Sequence, residues 1–598
     1  MGKPKILEDI DNIKSTLSNN ESKSNEIVIN VKYPPGNLTP MKLDGTDESL
    51  LLQNIINYIR SNQKSTIFFP YSSSGVRLDQ PVIINISNIT LDFNGNDAKV
   101  TIARGWVFNF YPSTLQNIQD GTGRPSGFEN GIDGDYRTIM YDENTRLKNI
   151  CIKNVNWIDA SGTTTGGRML NFYSCDNIII KDSKFNSYLN CIDFFMCSNI
   201  VIDNNTFVSQ AYNTFLFKCK KIRITRNYFN GGTEAVGIKG AYPQTGKTIY
   251  QAFDADYLYD ADAKIYNNTF ANILNFGIQG GYYDNSNSDI SSGTPVGVTL
   301  RDWYGEIWNL DAYSNTFKSP SVPNNINTAF RNNVNGKFQK FHDNIIYGMN
   351  VTLLSGLYID VYNNKFIKDL TSSSGPGGTI TLQGSSAGGE PVNTEHCNIY
   401  RNQIIGSTVP GILITGGNYN KIEDNKFINC TSHDIMIKNS SIQSPYTKST
   451  SNEIRRNNIY TSTPTAYAYG VWSQIGQGDK NIISENIGFG GFYSGNANSF
   501  SDSSSVQYKN NLIRVDIPTG IIEVGTNTAY GNIGDSTVSN NVPGYAQEFG
   551  VDGIMSSSWA NPMRFGQNFL WVDSSTRLRI KSTKPTSDTD GIIVGSQT

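Results

Sequence analysis

Residues 175–185 read CDNIIIKDSKF, residues 197–207 read CSNIVIDNNTF and residues 219–229 read CKKIRITRNYF. The cysteines that begin these copies, and the phenylalanines that end them, recur every 22 residues. A fixed period of this length is typical of repeat architectures. Within each copy isoleucines alternate with polar residues, which is the pattern of a strand with one buried face. Each copy therefore predicts one coil of a parallel β-helix.

The period also predicts which residues stack inside the coils. Successive coils lie ~4.8 Å apart, so equivalent residues come to lie on one another. The asparagines between the isoleucines and the phenylalanine are expected in turns, where left-handed backbone geometry is tolerated. The cysteines are expected to be small buried side chains and not disulfide partners. The predicted interior ladders are Cys175, Cys197 and Cys219, and Phe185, Phe207 and Phe229.

Less regular copies of the pattern occur along most of the chain. Segments 82–93 and 146–157 are read as earlier coils, and later coils are expected to end at Phe270, Phe317, Ile346, Phe366, Ile405, Phe427, Ile459 and near Ile487. Loops are inserted where the gap between copies exceeds the period. The largest insertions, 240–262 and 280–311, are rich in Tyr, Trp, Asp and Gly. Long loops on a rigid scaffold are where ligands bind.

The totals exclude several classes of partner. The 598-residue chain has a formal net charge of -3, which does not favour nucleic acid or an anionic membrane surface. It has no run of ~18 apolar residues, so membrane insertion is not expected. His342, His396 and His433 lack the spacing of a metal site, and no P-loop or dinucleotide fingerprint is present. We therefore predict neither a metal nor a cofactor.

The chain divides into three predicted regions. Residues 1–30 hold a seam of Ile6, Ile10, Ile13 and Leu17, followed by a polar linker. The seam is either held by neighbouring copies or is a single amphipathic helix docked on its own chain. Residues 31–515 are predicted to form the β-helix, and residues 516–598 a C-terminal β-rich domain. Acidic residues stand where a signal peptide would have its apolar core, so we expect folding in a cytosol.

Residues 44–70 read DGTDESLLLQNIINYIRSNQKSTIFFP and predict a helix followed by a strand. Thr46 or Asp47 can cap the helix. The apolar face of the helix is predicted as Leu51, Ile55, Ile56 and Ile59. This order of turn, helix and strand resembles the N-terminal cap of the pectate-lyase-like superfamily, which includes many phage tailspikes and tail appendages. The chain departs from that pattern at Leu43, where the family usually has glycine.

The C-terminal stretch QNFLWVDSSTRLRIKSTKPTSDTDGIIVGSQT resembles the tail of phage appendage and tail-fibre proteins. Together the two resemblances imply an all-β, right-handed parallel β-helix (solenoid) with a short N-terminal helical segment. They also imply a homotrimer in the virion, assembled in the host cytoplasm and attached through its N-terminus to a tail or collar protein. The implied ligand is a host surface glycopolymer. A composition rich in Asn, Ile and Lys favours a low-GC host, and hence wall teichoic acid, a capsular polysaccharide or an exopolysaccharide.

The 22-residue register predicts a pair of catalytic carboxylates. Asp193 occupies an outward position between two inward ones, and Glu234 stands half a turn earlier, two coils further on. Two coils correspond to ~10 Å. That separation is compatible with the ~6.5–9.5 Å of an inverting glycosidase. Asp193 is then expected to act as the base, and Glu234, in an apolar stretch, as the acid. The alternative is that each is a solvated surface acid.

Further residues are predicted to bind the substrate. Arg168, Tyr212 and Lys239 surround the predicted pair with hydrogen-bond donors and an aromatic ring. In the two long loops, aromatic side chains suited to stacking on sugar rings stand beside further acids. These loop residues are Asp254, Asp256, Tyr257, Asp302, Trp303, Glu306 and Trp308. Asp254, Asp256, Asp302 and Glu306 are rival candidates for the catalytic carboxylates.

Three functions are compatible with these observations. The leading hypothesis is a phage tail appendage that binds and hydrolyses a host glycopolymer. The second is a receptor-binding appendage without catalysis. The third is a secreted pectate-lyase-like enzyme, against which the acidic N-terminus argues. Release of oligomers from host cell walls would distinguish the first hypothesis from the second.

Overall fold

The computed structural model describes most of the chain between residues 26 and 596. The described residues are 26–59, 63–101, 106–113, 144–161, 168–187, 190–217, 219–239, 258–281, 306–318, 327–332, 336–368, 377–387, 390–438, 449–460, 471–474, 481–489, 492–494, 507–509, 512–514, 528–530, 533–534, 563–565, 568–575, 577–583 and 585–596. The predicted seam between Ile6 and Leu17 lies outside them.

The chain forms two compact units, the first containing residues 1–214 and 219–227, the second residues 215–218 and 228–598. In each unit short parallel strands form three sheets, here named A, B and C in the order in which each coil visits them. The fold is the predicted right-handed parallel β-helix, with one helix near the N-terminus and an antiparallel β-sheet at the C-terminus.

In the first unit the three sheets have the following strands. Sheet A contains Ile27–Asn30, Ser65–Phe68, Ile89–Asp92, Leu147–Lys153, Cys175–Lys181, Ser198–Asp203 and Lys220–Thr225. Sheet B contains Val76–Leu78, Asp97–Val100, Asn156–Asp159, Lys184–Ser187 and Thr206–Ser209. Sheet C contains Val82–Ile84, Trp106–Phe110, Arg168–Tyr173, Ile192–Phe195 and the start of Tyr212–Phe217.

The second unit repeats the arrangement. Sheet A contains Leu258–Tyr266, Glu306–Tyr313, Gly336–Lys337, Lys340–His342, Asp360–Tyr362, Asn398–Tyr400, Lys421–Glu423, Glu453–Arg455, Ile482–Ser484, Gln507–Lys509 and Thr528–Tyr530, with a short flanking pair Thr394–Glu395 and Gly417–Asn418. Sheet B contains Tyr228–Asn230, Thr269–Ala271, Thr316–Lys318, Ile345–Tyr347, Lys365–Ile367, Gln403–Ile405, Lys426–Ile428, Asn458–Tyr460, Ile487–Phe489, Leu512–Arg514 and Ile533–Gly534. Sheet C contains Glu234–Lys239, Phe276–Gly280, Thr328–Asn332, Asn350–Leu354, Ile380–Gln383, Ile412–Thr415, Ile435–Lys438, Val471–Gln474 and Phe492–Ser494. A hairpin of Ser385–Ala387 and Glu390–Val392 projects from this unit.

The predicted interior ladders are confirmed. Cys175, Cys197 and Cys219 are buried, free thiols at equivalent positions of sheet A. Phe185 and Phe207 stack with ring centroids 4.9 Å apart. In the second unit the buried Phe229 stacks in the same way on Phe270, also at 4.9 Å. The 22-residue period therefore correctly predicts which face of these strands is buried inside the coil.

Replacing Phe207 with alanine is expected to lower the free energy of unfolding by about 3–5 kcal/mol, because it leaves a cavity in the interior stack. Val208, the next residue of the same strand, is only partly buried, so Val208→Ala should cost no more than about 1 kcal/mol. Urea unfolding followed by circular dichroism measures both. Equal losses in the two variants, or rapid labelling of native Cys197 by a thiol reagent, would contradict this packing.

One predicted coil end and one helix residue were wrong by a single position. Ile404, not Ile405, lies opposite Phe366 and is fully buried. The helix Ser49–Tyr58 buries Leu52, not Leu51, together with Ile55 and Ile56. In both cases two adjacent apolar residues left the sequence pattern ambiguous.

The start of the helix explains two features of the N-terminal cap. The Asp47 carboxylate accepts hydrogen bonds from the backbone N–H and the hydroxyl of Ser49, at 3.0 and 2.6 Å. Leu43 has a φ of 54°, in the left-handed region that favours glycine. The buried Glu48 carboxylate accepts a hydrogen bond from the Leu43 N–H at 2.7 Å. Leu43 thus adopts the conformation for which related caps use glycine.

The corner between sheets A and B is a two-residue turn in nearly every described coil. Its first residue has positive φ, as in Asn204, Asn363 and Arg456. Its second residue is in most coils a buried asparagine whose Oδ1 accepts the backbone N–H of the preceding coil's equivalent residue. This asparagine ladder consists of Asn205 and Asn227 in the first unit, and of Asn268, Asn315, Asn344, Asn364, Asn402, Asn425, Asn457 and Asn486 in the second.

The asparagine ladder determines where the coil can lengthen. An extra residue at this corner would break the hydrogen bonds to the coils on both sides. The long connections of the sequence, such as 240–257, 282–305 and 369–376, all lie between sheets C and A or between sheets B and C. The long connections therefore join the two edges of sheet C to the neighbouring sheets.

The C-terminal sheet is antiparallel, with strands Met563–Phe565, Asn568–Val572, Arg577–Lys581 and Ile592–Ser596. Trp571, Asp573 and Arg579 are buried, and the Asp573 carboxylate accepts a hydrogen bond from Arg577 Nε at 3.0 Å as well as one from Arg579.

Among the described residues, no helix has the length and hydropathy needed to cross a lipid bilayer. No cluster of three or more potential metal ligands occurs in this part of the chain.

Candidate functional site

Asp193 lies on the outer face of sheet C in the first unit. Its neighbours Ile192 and Phe194 are fully buried inside the coil, so alternation places Asp193 on the opposite side. Asn190 Nδ2 donates to both of its carboxylate oxygens, at 3.1 and 3.0 Å. Only 2% of Asp193 is exposed. The outward position agrees with the sequence prediction, but the carboxylate is shielded from solvent and held by an amide.

A row of amides continues from Asp193 along the same face. Asp193 pairs in register with Asn171, which pairs with Asn109. Asn171 Nδ2 donates to Asn109 Oδ1 at 3.3 Å, and both residues are buried. The Asn171 Oδ1 atom accepts no hydrogen bond from the described residues. This row therefore carries polar groups that suit the hydroxyl and amide groups of a glycan.

An aromatic row runs beside the amide row. Tyr173 and Phe195 stack at 4.8 Å with an angle of 12° between their rings. Tyr111 follows the sheet C strand that contains Asn109, and burial raises the pKa of its hydroxyl to about 12. Tyr212, one of the predicted substrate-binding residues, is 37% exposed. Arg168 belongs to the adjacent strand, and its side chain is not among those that the structure describes.

Glu234 begins a sheet C strand of the second unit and is 3% exposed. It pairs in register with Phe276, and Gly237 of the same strand pairs with Gln279. Gln279 pairs in turn with Arg331, whose guanidinium carbon lies 4.8 Å from the centre of the Phe276 ring. Of these residues, Phe276 lies directly beside Glu234 on the neighbouring strand, and Arg331 contacts the ring of Phe276. Lys239 ends the strand, and its side chain lies outside the described ones.

The loop residues that were predicted to bind substrate are mostly outside the described part of the chain. This applies to Asp254, Asp256, Tyr257, Asp302 and Trp303, and to the side chain of Glu306. Trp308 is described, and it belongs to an aromatic row on sheet A of the second unit. It makes an edge contact of 5.3 Å with Phe338, and the row continues through Tyr358, His396 and Tyr419.

The geometry of this aromatic row argues against sugar stacking on its inner members. Phe338 and Tyr358 lie parallel with centroids 5.2 Å apart, and Tyr358 and His396 are 5.1 Å apart. Each inner ring therefore uses both of its faces on its neighbours. A sugar binds to an open ring face, which these inner rings do not offer.

The two carboxyl groups differ in their neighbours. Asp193 accepts two hydrogen bonds from the Asn190 amide, and Glu234 pairs in register with Phe276. Both residues are buried. In general, a charged carboxylate can activate a water molecule, and a neutral carboxylic acid can protonate a leaving oxygen.

The sequence prediction missed Asn109, Tyr111 and the orienting role of Asn190. Asn171 follows from the 22-residue register, but Asn109 lies 62 residues before Asn171 because of an insertion. No period can relate residues across a gap of that length. The Asn190–Asp193 contact could have been expected from the sequence. Asp193 follows Asn190 by three positions, and the strand Ile192–Phe195 begins between them.

Comparison with known proteins gives one match in sequence and several in structure. The family model of capsule depolymerases matches residues 540–596. No curated protein matches the chain.

Three of the similar solved structures come from different sources. The tailspike protein of E. coli bacteriophage HK620, in complex with a pentasaccharide, is 13% identical with a TM-score of 0.41, and the match covers 84% of this chain and 78% of that one. The A-module of a mannuronan C-5 epimerase of Azotobacter vinelandii is 12% identical, with a TM-score of 0.27 and coverages of 85% and 99%. A family 28 exopolygalacturonase of Yersinia enterocolitica is 10% identical, with a TM-score of 0.35 and coverages of 75% and 77%. In sequence, the chain is similar to capsule depolymerases over residues 540–596.

Proposed function

We propose that the chain is a bacteriophage tail appendage that binds and hydrolyses a glycopolymer of the host surface. The observation that carries the proposal is the capsule depolymerase match at residues 540–596, on a chain whose β-helix carries its insertions beside one sheet. A solenoid offers a long face that a polymer can follow. Tyr212, which is 37% exposed on sheet C of the first unit, supplies an accessible aromatic side chain of the kind that glycan binding uses.

Within this proposal Asp193 is the general base and Glu234 the general acid. The Asn190 amide orients the Asp193 carboxylate, so that its lone pairs are directed when a water molecule is activated. Glu234 donates its proton to the glycosidic oxygen, which suits a carboxyl group in a buried place. The bond is broken by water, and the anomeric carbon is inverted at a pair of this kind.

The test is the release of oligomers from the polymer. Purified protein is incubated with cell walls, capsular polysaccharide and wall teichoic acid of low-GC bacteria, and the soluble fraction is analysed by mass spectrometry. We expect a series of oligomers that differ by one repeat unit. Binding of the walls without any release would favour the second candidate, a receptor-binding appendage without catalysis. The burial of both carboxylates is the observation that favours this second candidate.

We further propose that copies of the chain assemble through the C-terminal sheet, as a homotrimer attached through the N-terminus to a tail or collar protein of the virion. Leu570, Ile580 and Ile592 form an apolar row across three strands of this sheet. Ile592 is 72% exposed and lies on an edge strand that pairs on one side only among the described strands. Exposed apolar edge strands in native proteins are covered or paired. A neighbouring copy supplies that cover.

Replacing Ile592 with aspartate is expected to shift the protein towards monomers, because a charge in an apolar contact must be desolvated. Ser582→Asp, at an exposed position of the same sheet region, is the matched control and should leave the oligomer intact. Light scattering at micromolar concentration measures the mass of each. A monomeric wild-type protein would rule out the assembly and weaken the appendage proposal.

A further inference from the structure

A polar groove runs along the corner between sheets A and B of the first unit, away from the outer face of sheet C. Its volume is 670 Å³. Its walls include Asn94, Asn154, Asp182 and Asn204 from successive corners, and Lys184 from sheet B. All of these residues belong to one unit and follow one another coil by coil.

The groove exists because the asparagine ladder is interrupted here. In the corners of these coils Val155 and Ser183 occupy the positions that asparagine takes from Asn205 onwards. Both residues line the groove. The preceding corner is longer, with four residues from Phe93 to Asn96 between its strands, and Asn94 and Gly95 at its tip also line the groove. The Gly95 N–H in this tip donates to the Asn154 carbonyl at 2.6 Å.

The lining selects the chemical class of a ligand. Side-chain amides, a hydroxyl-bearing Ser183 and Thr206, one carboxylate and one ammonium group supply both donors and acceptors. The single Asp182 and the single Lys184 balance in charge, so the lining does not favour a strongly charged ligand. Aromatic rings are absent from the lining residues, so an apolar ligand has no contact surface. A chain of neutral hydroxyl and amide groups fits best.

A second observation points to a missing partner. Asn156 Nδ2 donates to Asp97 Oδ1 at 2.6 Å, while its Oδ1 is buried and accepts no hydrogen bond within the described part of the chain. Asn156 lines the groove. Amides in the wall are also held in place: Asn204 Nδ2 donates to Asp182 Oδ1 at 2.7 Å, and Asn154 Nδ2 to Asp92 Oδ1 at 2.9 Å. Their orientation is thus fixed before a ligand arrives, which reduces the entropy lost on binding.

The spacing of these groups is regular. Equivalent amides on neighbouring coils are ~4.8 Å apart, which is close to the length of one sugar along an extended polysaccharide. A peptide strand would instead need a free sheet edge for main-chain hydrogen bonds. Sheets A and B both continue through these coils, so no such edge is present here.

We infer that this groove is a second carbohydrate site, which binds a neutral oligosaccharide segment away from the outer face of sheet C of the first unit. The inference goes beyond hydrolysis and rests on the proposed function only for the view that the natural ligand is a glycopolymer. The groove holds one segment of the polymer while another segment is cleaved, so that the polymer is attached at two sites.

The test uses the full chain and two double variants. Asn154→Gly with Asn204→Gly removes two amides from the groove and keeps the positive φ of 60° and 55° at these positions. Asn177→Gly with Asn199→Gly is the matched control, since these asparagines have φ of 55° and 52° and donate to neighbouring coils outside the groove. Thr206→Tyr is a third variant, which fills the groove from sheet B.

Binding is measured by calorimetry with a neutral probe, the tetramer of N-acetylglucosamine, and an acidic probe, the tetramer of galacturonic acid. We expect the wild-type protein to bind the neutral probe weakly. Binding should be about tenfold weaker in the groove double variant, which loses two hydrogen bonds to the probe, and in Thr206→Tyr, whose ring occupies the groove. The control variant should bind within a factor of two of the wild type.

Three results would overturn the inference: no binding of the neutral probe, preference for the acidic probe, or equal weakening in the control variant. Wall hydrolysis is assayed separately on the same proteins. A protein that binds the neutral probe in the groove but releases nothing from any wall would refute the hydrolase and leave the groove standing.

Discussion

Asp193→Asn is expected to retain binding to host walls and to lose most oligomer release. The amide has nearly the shape of the carboxylate but cannot accept the proton of an attacking water molecule. Loss of one general acid or base lowers a rate by about 10²–10⁴. Glu234→Gln removes the proton donor in the same way and should give a loss of the same order. Release rates are measured by chromatography of labelled oligomers.

Matched controls separate chemistry from folding. Asp176→Asn alters a half-buried aspartate on sheet A of the same unit, and Glu453→Gln alters a glutamate on sheet A of the second unit. Both should cleave at the wild-type rate. If Asp193→Asn and Glu234→Gln also cleave normally and melt at the wild-type temperature, the carboxylates in the loops, Asp254, Asp256, Asp302 and Glu306, become the candidates.

The second large effect is expected in the asparagine ladder. Asn364 Oδ1 accepts hydrogen bonds from the backbone N–H and the Nδ2 of Asn344, both at 3.0 Å. Its own Nδ2 donates to the Phe341 carbonyl at 2.8 Å. Asn364→Ala removes these three hydrogen bonds from buried groups, and Asn344 Nδ2 keeps only its bond to the Ala312 carbonyl. At about 1–3 kcal/mol for each unsatisfied group, the loss of unfolding free energy should reach ~3–5 kcal/mol.

Asn363 offers a close control for this variant. It precedes Asn364, has a φ of 55° and belongs to the same corner, but it is not part of the buried ladder. Glycine adopts that φ without strain, so Asn363→Gly should change the unfolding free energy by less than about 1 kcal/mol. Urea unfolding and hydrogen exchange of the flanking coils compare the two variants. Equal stability of Asn364→Ala and Asn363→Gly would mean that the ladder does not hold the coils together.

The sequence predicted the repeating part of the fold well and the ladder at its corner poorly. Alternation and a 22-residue period suffice to place Cys197 and Phe207 inside, because strands and coil spacing have fixed periods. They do not show that Asn205 is buried, since asparagine is usually an exposed turn residue. Only the parallel stacking of coils gives its side chain a backbone partner on the neighbouring coil.

The candidate site was predictable in part, for a related reason. Asp193 and its outward direction follow from the register, and Tyr212 from its position 22 residues after Asn190. The burial of Asp193 and Glu234 does not follow, because the register fixes the direction of a side chain but not what lies over it. The loop residues depend on insertions that no period describes. Sequence reasoning is thus strongest for the scaffold and weakest for the loops.

The two-residue corner also has a consequence for how such a chain can change during evolution. Where the asparagine ladder runs, the corner between sheets A and B must keep its two residues, while the connections at the edges of sheet C vary in length. Variants with new surface loops can therefore arise without loss of the coil register. Since each corner asparagine bonds the backbone of the coil before it, blocks of coils exchanged between related genes would join in the correct register. A virus that must follow a changing host surface could acquire new specificity by such exchanges while keeping one scaffold.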